Sequence, residues 1–190
     1  MARMLSLLGC GEEAACLSFD RLQRMAPAAH DALAAVARDE RVHDALLRGL
    51  LARLPPAGPN SRALVAMRSV HKGLGQGDPG LQCAGIAALD SAVCTLLSGM
   101  LRRGTHLPWH GPLRAVLRKI RDDEARHVAV TQAIALRNGE TNKLRAAAAQ
   151  LRHDLVVALT LAGNDFEALG IDPDRTLAAI AGLPTGLLRS

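Results

Sequence analysis

Aromatic and β-branched residues are scarce in this chain of 190 residues. It contains two Phe, one Trp and no Tyr, and Val and Ile together number only 15. Because strands favour β-branched and aromatic side chains, a β-rich fold is excluded. In their place stand 34 Ala and 32 Leu, which lose little side-chain freedom in a helix. The composition predicts an all-α protein.

Long charged and long apolar runs are also lacking. The formal net charge is +5, carried by 20 Arg and 3 Lys, but these residues are scattered and have few aromatic neighbours. We therefore do not expect nucleic-acid binding. No apolar run approaches the ~20 residues that span a bilayer. The apolar core at residues 4–8 is too short for an export signal and is soon followed by Glu12 and Glu13. The sequence thus predicts a cytoplasmic protein without a membrane span.

Cysteine pairs are missing as well. The four cysteines form no C-x-x-C motif, so they offer neither a zinc knuckle nor a rubredoxin-like iron site. We interpret them as small buried hydrophobic side chains in a reducing cytoplasm. Any metal site must therefore be built from other side chains.

Proline and glycine divide the chain into helical segments. Long helices are predicted at about 5–25, 29–54, 81–103, 112–137 and 141–162, and shorter ones at 61–72 and after Asp172. Residues 55–79 are long enough to run the length of a bundle. We therefore expect an antiparallel four-helix bundle with a long crossover between its second and third helices and an extra C-terminal helix. Residues 1–163 would form the bundle and flanking helix, and 164–190 a short helix and tail of the same domain.

Each of the four bundle helices carries an apolar stripe at the i, i+3, i+7 spacing that places side chains on one face. One acid interrupts each stripe: Glu12, Glu40, Asp90 and Glu124. An acid in a core stripe is costly unless it is paired or binds a cation. Four acids converging at one depth would repel one another, and a metal cluster is the natural compensation.

Two of these acids belong to the same motif, Asp-Glu-x-x-His. One copy contains Asp39, Glu40 and His43, and the other contains Asp123, Glu124 and His127. Glu and His three residues apart lie on one helix face and can bind the same metal ion. The preceding Asp lies roughly 100° around the helix, where it could accept a hydrogen bond from a ligating imidazole on a neighbouring helix.

Together with Glu12 and Asp90, the two motifs resemble the ligand pattern of the ferritin-like di-iron carboxylate proteins. In that family two helices each provide one acid and two each provide Glu-x-x-His. The resemblance covers about residues 5–137 and is strongest to the oxygen-activating branch, including compact ubiquinone-biosynthesis hydroxylases and di-iron monooxygenases. It implies a ferritin-like bundle and a metal-ligand set of Glu12, Glu40, His43, Asp90, Glu124 and His127, with Asp39 and Asp123 behind the histidines.

The function that this resemblance implies is that of a non-haem di-iron oxidase or monooxygenase acting with O2 on a small organic substrate. Two iron ions, or a manganese–iron pair, would be the cofactor, and Glu12, Glu40 and Glu124 the catalytic carboxylates, with Glu40 and Glu124 as bridges. Electrons would come from a reductase or small reductant, because the chain has no flavin or nicotinamide fingerprint. A homodimer is left open.

Departures from the family pattern leave alternatives. Asp90 stands where the family usually has Glu and could be only a hydrogen-bond acceptor, and Glu13 could replace Glu12 as the ligand. Val93 lacks the extra carboxylate of rubrerythrin-type peroxidases, and the absence of Tyr excludes a tyrosyl radical. A ferroxidase or peroxide-scavenging protein and a metal-free helical interaction module stay open as other functions.

The remaining histidines have simpler interpretations. We expect His30 and His71 at the surface and His153 in a structural role. His106 and His110 flank Trp109 in a loop, which is more typical of a turn than of a site.

Overall fold

The computed structural model describes residues 1–56, 58, 61–107 and 111–183. Within these residues the chain forms helices and no strands, which confirms the all-α prediction. The helices are α1 (Ala2–Met25), α2 (His30–Leu51), α3 (Ser61–Leu74), α4 (Pro79–Met100), α5 (Pro112–Asn138), α6 (Thr141–Thr160), α7 (Gly163–Glu167) and α8 (Pro173–Ala181). A 3₁₀ turn at Pro27–Ala29 joins α1 to α2.

Helix ends differ from the predicted ones by up to three residues. Helix α4 begins at Pro79 rather than Leu81, because the Asp78 side chain caps it by accepting a hydrogen bond from the Leu81 backbone N–H. Helix α2 ends at Leu51, three residues before its predicted end. The five-residue α7 was not predicted, because such a short segment carries no helical period.

Two helix pairs form the main part of the structure, α1 with α2 and α4 with α5. Helices α4 and α5 run in opposite directions, because the start of α4 lies against the end of α5. A Cβ atom at Gly80 would lie 2.9 Å from the Asn138 backbone, so only glycine fits this close approach. At the other end, the Arg114 guanidinium donates a hydrogen bond to the Leu101 carbonyl.

The remaining helices cover these pairs. Helix α3, in the crossover, packs on α1 and α6, while α6 packs on α4 and α8 packs on both. Buried apolar side chains from these helices form a continuous core, with Phe19, Leu33, Leu97, Leu117 and Leu144 among its fully buried members. Helices α2 and α5 also contact each other, and their contact contains the two Asp-Glu-x-x-His motifs.

Helix α4 is apolar over most of its length. Among the described residues it is the one helix that is long and apolar enough to cross a membrane by length and composition. Asp90 is its single charged residue. In the structure 67% of the most apolar window of this helix is buried inside the protein.

Candidate metal centre

The six predicted metal ligands converge in the interior from four different helices. Helix α1 contributes Glu12, α2 contributes Glu40 and His43, α4 contributes Asp90, and α5 contributes Glu124 and His127. Each of the six is at most 6% exposed. They are buried because they lie on the apolar faces that each helix turns towards the core.

Four of these side chains form a compact group that could hold a metal ion. Ligand atoms of Glu12, Glu40, His43 and Glu124 all lie within 4.8 Å of one another. His127 lies beside them, with its ring centre 5.8 Å from that of His43. Carboxylate and imidazole donors at this spacing are the side chains that bind first-row divalent metals.

Glu40 and Glu124 each extend between the two imidazoles. One Glu40 oxygen lies 3.6 Å from His43 Nδ1 and the other 3.0 Å from His127 Nδ1. The two Glu124 oxygens lie 3.4 Å and 3.6 Å from the same nitrogens. Of the two imidazoles, Glu12 contacts that of His43, with an oxygen 3.4 Å from Nδ1. The two shared carboxylates thus present one oxygen to each side of the cluster.

The outer ring nitrogens are held by the aspartates that precede the glutamates. His43 Nε2 on α2 lies 2.8 Å from Asp123 Oδ2 on α5, and His127 Nε2 on α5 lies 3.3 Å from Asp39 Oδ2 on α2. Because an ionised carboxylate only accepts hydrogen bonds, each Nε2–H donates to its aspartate. The two motifs therefore support each other's histidine across the α2–α5 contact.

The inner nitrogens have no such partner. His43 Nδ1 and His127 Nδ1 are buried and make no hydrogen bond with the described residues, although carboxylate oxygens surround them. In a neutral imidazole that donates through Nε2, Nδ1 carries a lone pair, which faces negative charge here. The arrangement is stable only if Nδ1 holds a proton or faces a cation.

Without a cation, protons compensate the charge. Burial alone would lower the pKa of His127, but contacts with Glu124 and Glu40 outweigh it and raise the pKa to about 10. The pKa of His43 is likewise raised by Glu12, Glu124 and Glu40 against the effect of burial. For Glu40, burial is outweighed by the two imidazoles, which lower its pKa to about 2. Imidazolium ions then act as counter-ions to the carboxylates.

The other two acids are pushed towards the neutral form. Burial, followed by repulsion from Glu124 and Glu40, raises the pKa of Asp90 well above its ordinary value. The pKa of Glu12 is raised well above its ordinary value, chiefly by burial. One Asp90 oxygen, Oδ2, is buried and has no hydrogen-bond partner among the described residues. Such an atom is costly in a metal-free core and suits a cation.

The cluster opens onto an apolar cavity of about 60 Å³. Glu12, Glu40, Asp90 and Glu124 form part of its wall, and the rest is mainly leucine, methionine and alanine from α1, α3, α4 and α6. A space of this kind beside the carboxylates can admit a small apolar molecule and limit the access of water.

The other candidate residues of the sequence that the structure describes lie outside the metal centre, and among them His71 alone lines the cavity beside it. Glu13, the alternative to Glu12, is exposed, and so are His30, His106 and His153. His110 and Trp109 lie outside the described residues. The prediction that His71 lies at the surface is wrong, because its side chain is buried and lines the cavity.

The position of His71 had a signal in the sequence. Helix α3 buries Ala63, Met67, Val70, His71 and Leu74. These residues follow the period of a helix face, so His71 belongs to an apolar stripe in the same way as the four acids. Because the sequence places α3 in a crossover segment between bundle helices, its length alone does not indicate a buried face.

Comparisons of the chain with protein-family models, curated protein sequences and solved structures found no match.

Proposed function

We propose that the protein is a di-metal oxidoreductase, a non-haem di-iron oxidase or monooxygenase that acts with O2 on a small organic substrate. The observation that carries this proposal is the pairing of Glu40 and Glu124 with both histidines. Each carboxylate offers one oxygen to each side, and within the described part of the chain both inner nitrogens lack a hydrogen-bond partner. These observations support a donor set for two neighbouring metal ions with shared carboxylates, as a ferritin-like four-helix bundle would provide.

The residues present fit such a pair of ions. Glu12 and His43 would complete one side, and Asp90 and His127 the other, with Glu40 and Glu124 shared between the sides. Four ionised carboxylates carry four negative charges, which two divalent cations balance with both histidines neutral. When bound, two ferrous ions would supply the electrons and open coordination positions for O2 chemistry.

The side chains around the ions have separate tasks. Asp123 and Asp39 hold the two imidazoles so that Nδ1 of each points inward. The leucine and methionine walls exclude water and receive the apolar part of a substrate. Because the cavity wall offers hydrocarbon beside the carboxylates, oxidation of an organic substrate is favoured over iron storage.

The experiment is to load the protein with Fe²⁺ anaerobically, remove unbound iron, and add O2. We expect about two iron ions per chain, about one O2 consumed per two ions, and iron that stays bound through repeated chemical reduction and oxidation. The variant Glu13→Ala, next to a proposed ligand but exposed, is the control and should behave as wild type. Fewer than about one bound ion per chain would contradict the proposal. Release of iron on oxidation would instead indicate a ferroxidase.

A further inference from the structure

His71 is a buried polar residue that the metal centre does not use. It lies on α3 and is 8% exposed, and neither ring nitrogen has a hydrogen-bond partner among the described residues. A buried polar group without a partner opposes folding, and a leucine in its place would not. Packing alone therefore does not account for a histidine at this position.

The His71 side chain is part of the wall of the cavity beside the metal centre. Apart from the carboxylates of that centre, it is the one polar side chain among the described residues of this wall. Leu7, Leu8, Met67 and Leu155 are among its apolar neighbours there. A molecule in the cavity would meet hydrocarbon everywhere except at the carboxylates and at His71.

The imidazole also lies beside a groove at the surface. A Cβ atom at Gly11 would lie 3.6 Å from His71 Nε2, so the ring approaches α1 one residue before Glu12. His71 lines a second, open groove as well, together with Arg21, Arg68 and Lys72. His71 thus borders both the cavity beside the carboxylates and this open groove.

The ring can serve both as donor and as acceptor. Burial lowers the pKa of His71 to about 4, so the imidazole is neutral at pH 7, with one N–H donor and one acceptor nitrogen. A hydroxyl group can bond to either nitrogen, and a carbonyl oxygen can accept from the N–H. An uncharged partner also suits a wall that is otherwise apolar.

We propose that His71 binds the hydroxyl or carbonyl oxygen of a small, uncharged and mainly apolar substrate and thereby orients its hydrocarbon part towards the metal centre. This inference rests on the proposed function for the statement that the bound molecule is a substrate. The apolar part would lie among leucines and methionines, and Met4 and Met67 in the wall can adapt to its shape. His71 is thus a positioning and specificity residue, separate from the six metal ligands.

The test compares 1-butanol with pentane, which differ by a hydroxyl in place of a methyl group. Both are titrated into the full chain loaded with diamagnetic Zn²⁺, and NMR follows the methionine methyl groups and the His71 ring nitrogens. We expect both probes to shift the signals of Met4 and Met67, and only 1-butanol to shift the ring nitrogens. In His71→Leu, the affinity ratio of 1-butanol to pentane should fall about fivefold, as for one hydrogen bond. His71→Gln should largely restore it.

Several outcomes would overturn the inference: an unchanged ratio in His71→Leu, no restoration in His71→Gln, or no shift at Met4 and Met67 with either probe. We expect His71→Leu to fold at least as stably as wild type, and if it does not fold, the ring-nitrogen shifts and His71→Gln decide. Zinc content is measured on the same samples. If two zinc ions bind per chain but 1-butanol is not preferred over pentane, only this inference is contradicted. If 1-butanol is preferred but less than about one zinc ion binds per chain, only the proposed metal centre is contradicted.

Discussion

The two halves of the candidate metal centre share a sequence motif but differ in their surroundings. Asp123, which supports His43, is 5% exposed and also receives hydrogen bonds from Lys119 and Arg126. Asp39, which supports His127, is 35% exposed, and its contact with Arg126 is 3.6 Å long. The same five-residue pattern thus gives one tightly held imidazole and one more loosely held imidazole.

The difference indicates that an aspartate orients a histidine ring more strictly when the aspartate is itself held by further hydrogen bonds. Burial opposes the ionisation of Asp123, but hydrogen bonds from His43, Lys119 and Arg126 hold its pKa well below its ordinary value. Asp123 is therefore a permanent anion, and it fixes both the tautomer and the orientation of the His43 ring. We expect the half of the centre that contains His43 to bind its ion more tightly than the half that contains His127.

The largest effect should come from removing a carboxylate that both halves share. In Glu40→Ala the iron content should fall from about two ions per chain to less than about half an ion, because both positions lose a ligand. Metal analysis after iron loading and desalting measures this. Glu13→Ala is the matched control, since it removes an exposed carboxylate one residue from Glu12. Retention of two ions in Glu40→Ala would show that this carboxylate is not shared.

When the metal ions are removed with a chelator, the folding stability of the protein should depend on pH because of the two histidines. The folded-state pKa of His127 is about 10, above its ordinary value of 6.5, so its contribution is complete below pH 6.5 and is lost as pH rises through 10. The raised pKa values of Glu12 and Asp90 act in the same direction. We expect the melting temperature of the chelated protein to fall by at least about 4 °C from pH 6.5 to 10, equivalent to about 1–2 kcal/mol.

The metal-loaded protein is the comparison for this measurement. Bound ions replace the protons on the imidazoles and carboxylates, so the alkaline loss of stability should largely disappear. His153→Gln, which alters an exposed histidine, should leave the slope of the chelated protein unchanged. A chelated protein whose melting temperature is flat or rises over this range would refute the account of charge compensation.

The two aspartates allow a direct comparison of the halves. Asp123→Asn should weaken the binding of one metal ion about 10- to 100-fold, the usual range for loss of such a supporting carboxylate. Asp39→Asn should weaken the other by less than about 10-fold, because Asp39 is more exposed and makes a longer contact. Competition with a chromophoric chelator yields both affinities. Equal losses of metal affinity in the two variants would contradict the expected difference between the two halves.

The smallest effect should come from the lysine that supports Asp123. Lys119 Nζ lies 2.6 Å from Asp123 Oδ2, but the lysine is about half exposed, so solvent screens the contact. Lys119→Met should weaken metal binding about twofold. Lys143→Met, which breaks a surface pair with Glu140, should have no effect in the same assay. A loss as large as that of Asp123→Asn would mean that Lys119, and not the imidazole contact, holds the aspartate.

Much of this centre could be predicted from the sequence because its residues obey a local rule. Acids on apolar stripes must be buried, and an Asp-Glu-x-x-His motif places its three side chains at defined angles on a helix. The helices were predictable for the same reason, since apolar periodicity and proline mark them, although caps such as Asp78 shifted their ends. Residues whose placement follows from the periodicity of a single helix could thus be predicted from the sequence.

Features that depend on contacts between helices could not be predicted in this way. Part of the asymmetry between Asp39 and Asp123 was present in the sequence, because Lys119 and Arg126 lie four residues before and three residues after Asp123 on α5. The different exposure of the two aspartates depends on how α2 and α5 meet. The place of His71 beside the cavity depends on how α3 crosses α1, even though its stripe was present in the sequence.

The most direct test of the central claim is anomalous diffraction at the iron edge from crystals of the iron-loaded protein. The account predicts two iron peaks per chain, with a Glu40 oxygen and a Glu124 oxygen bound to each, His43 Nδ1 on one ion and His127 Nδ1 on the other. A single peak, or peaks away from these carboxylates, would contradict it.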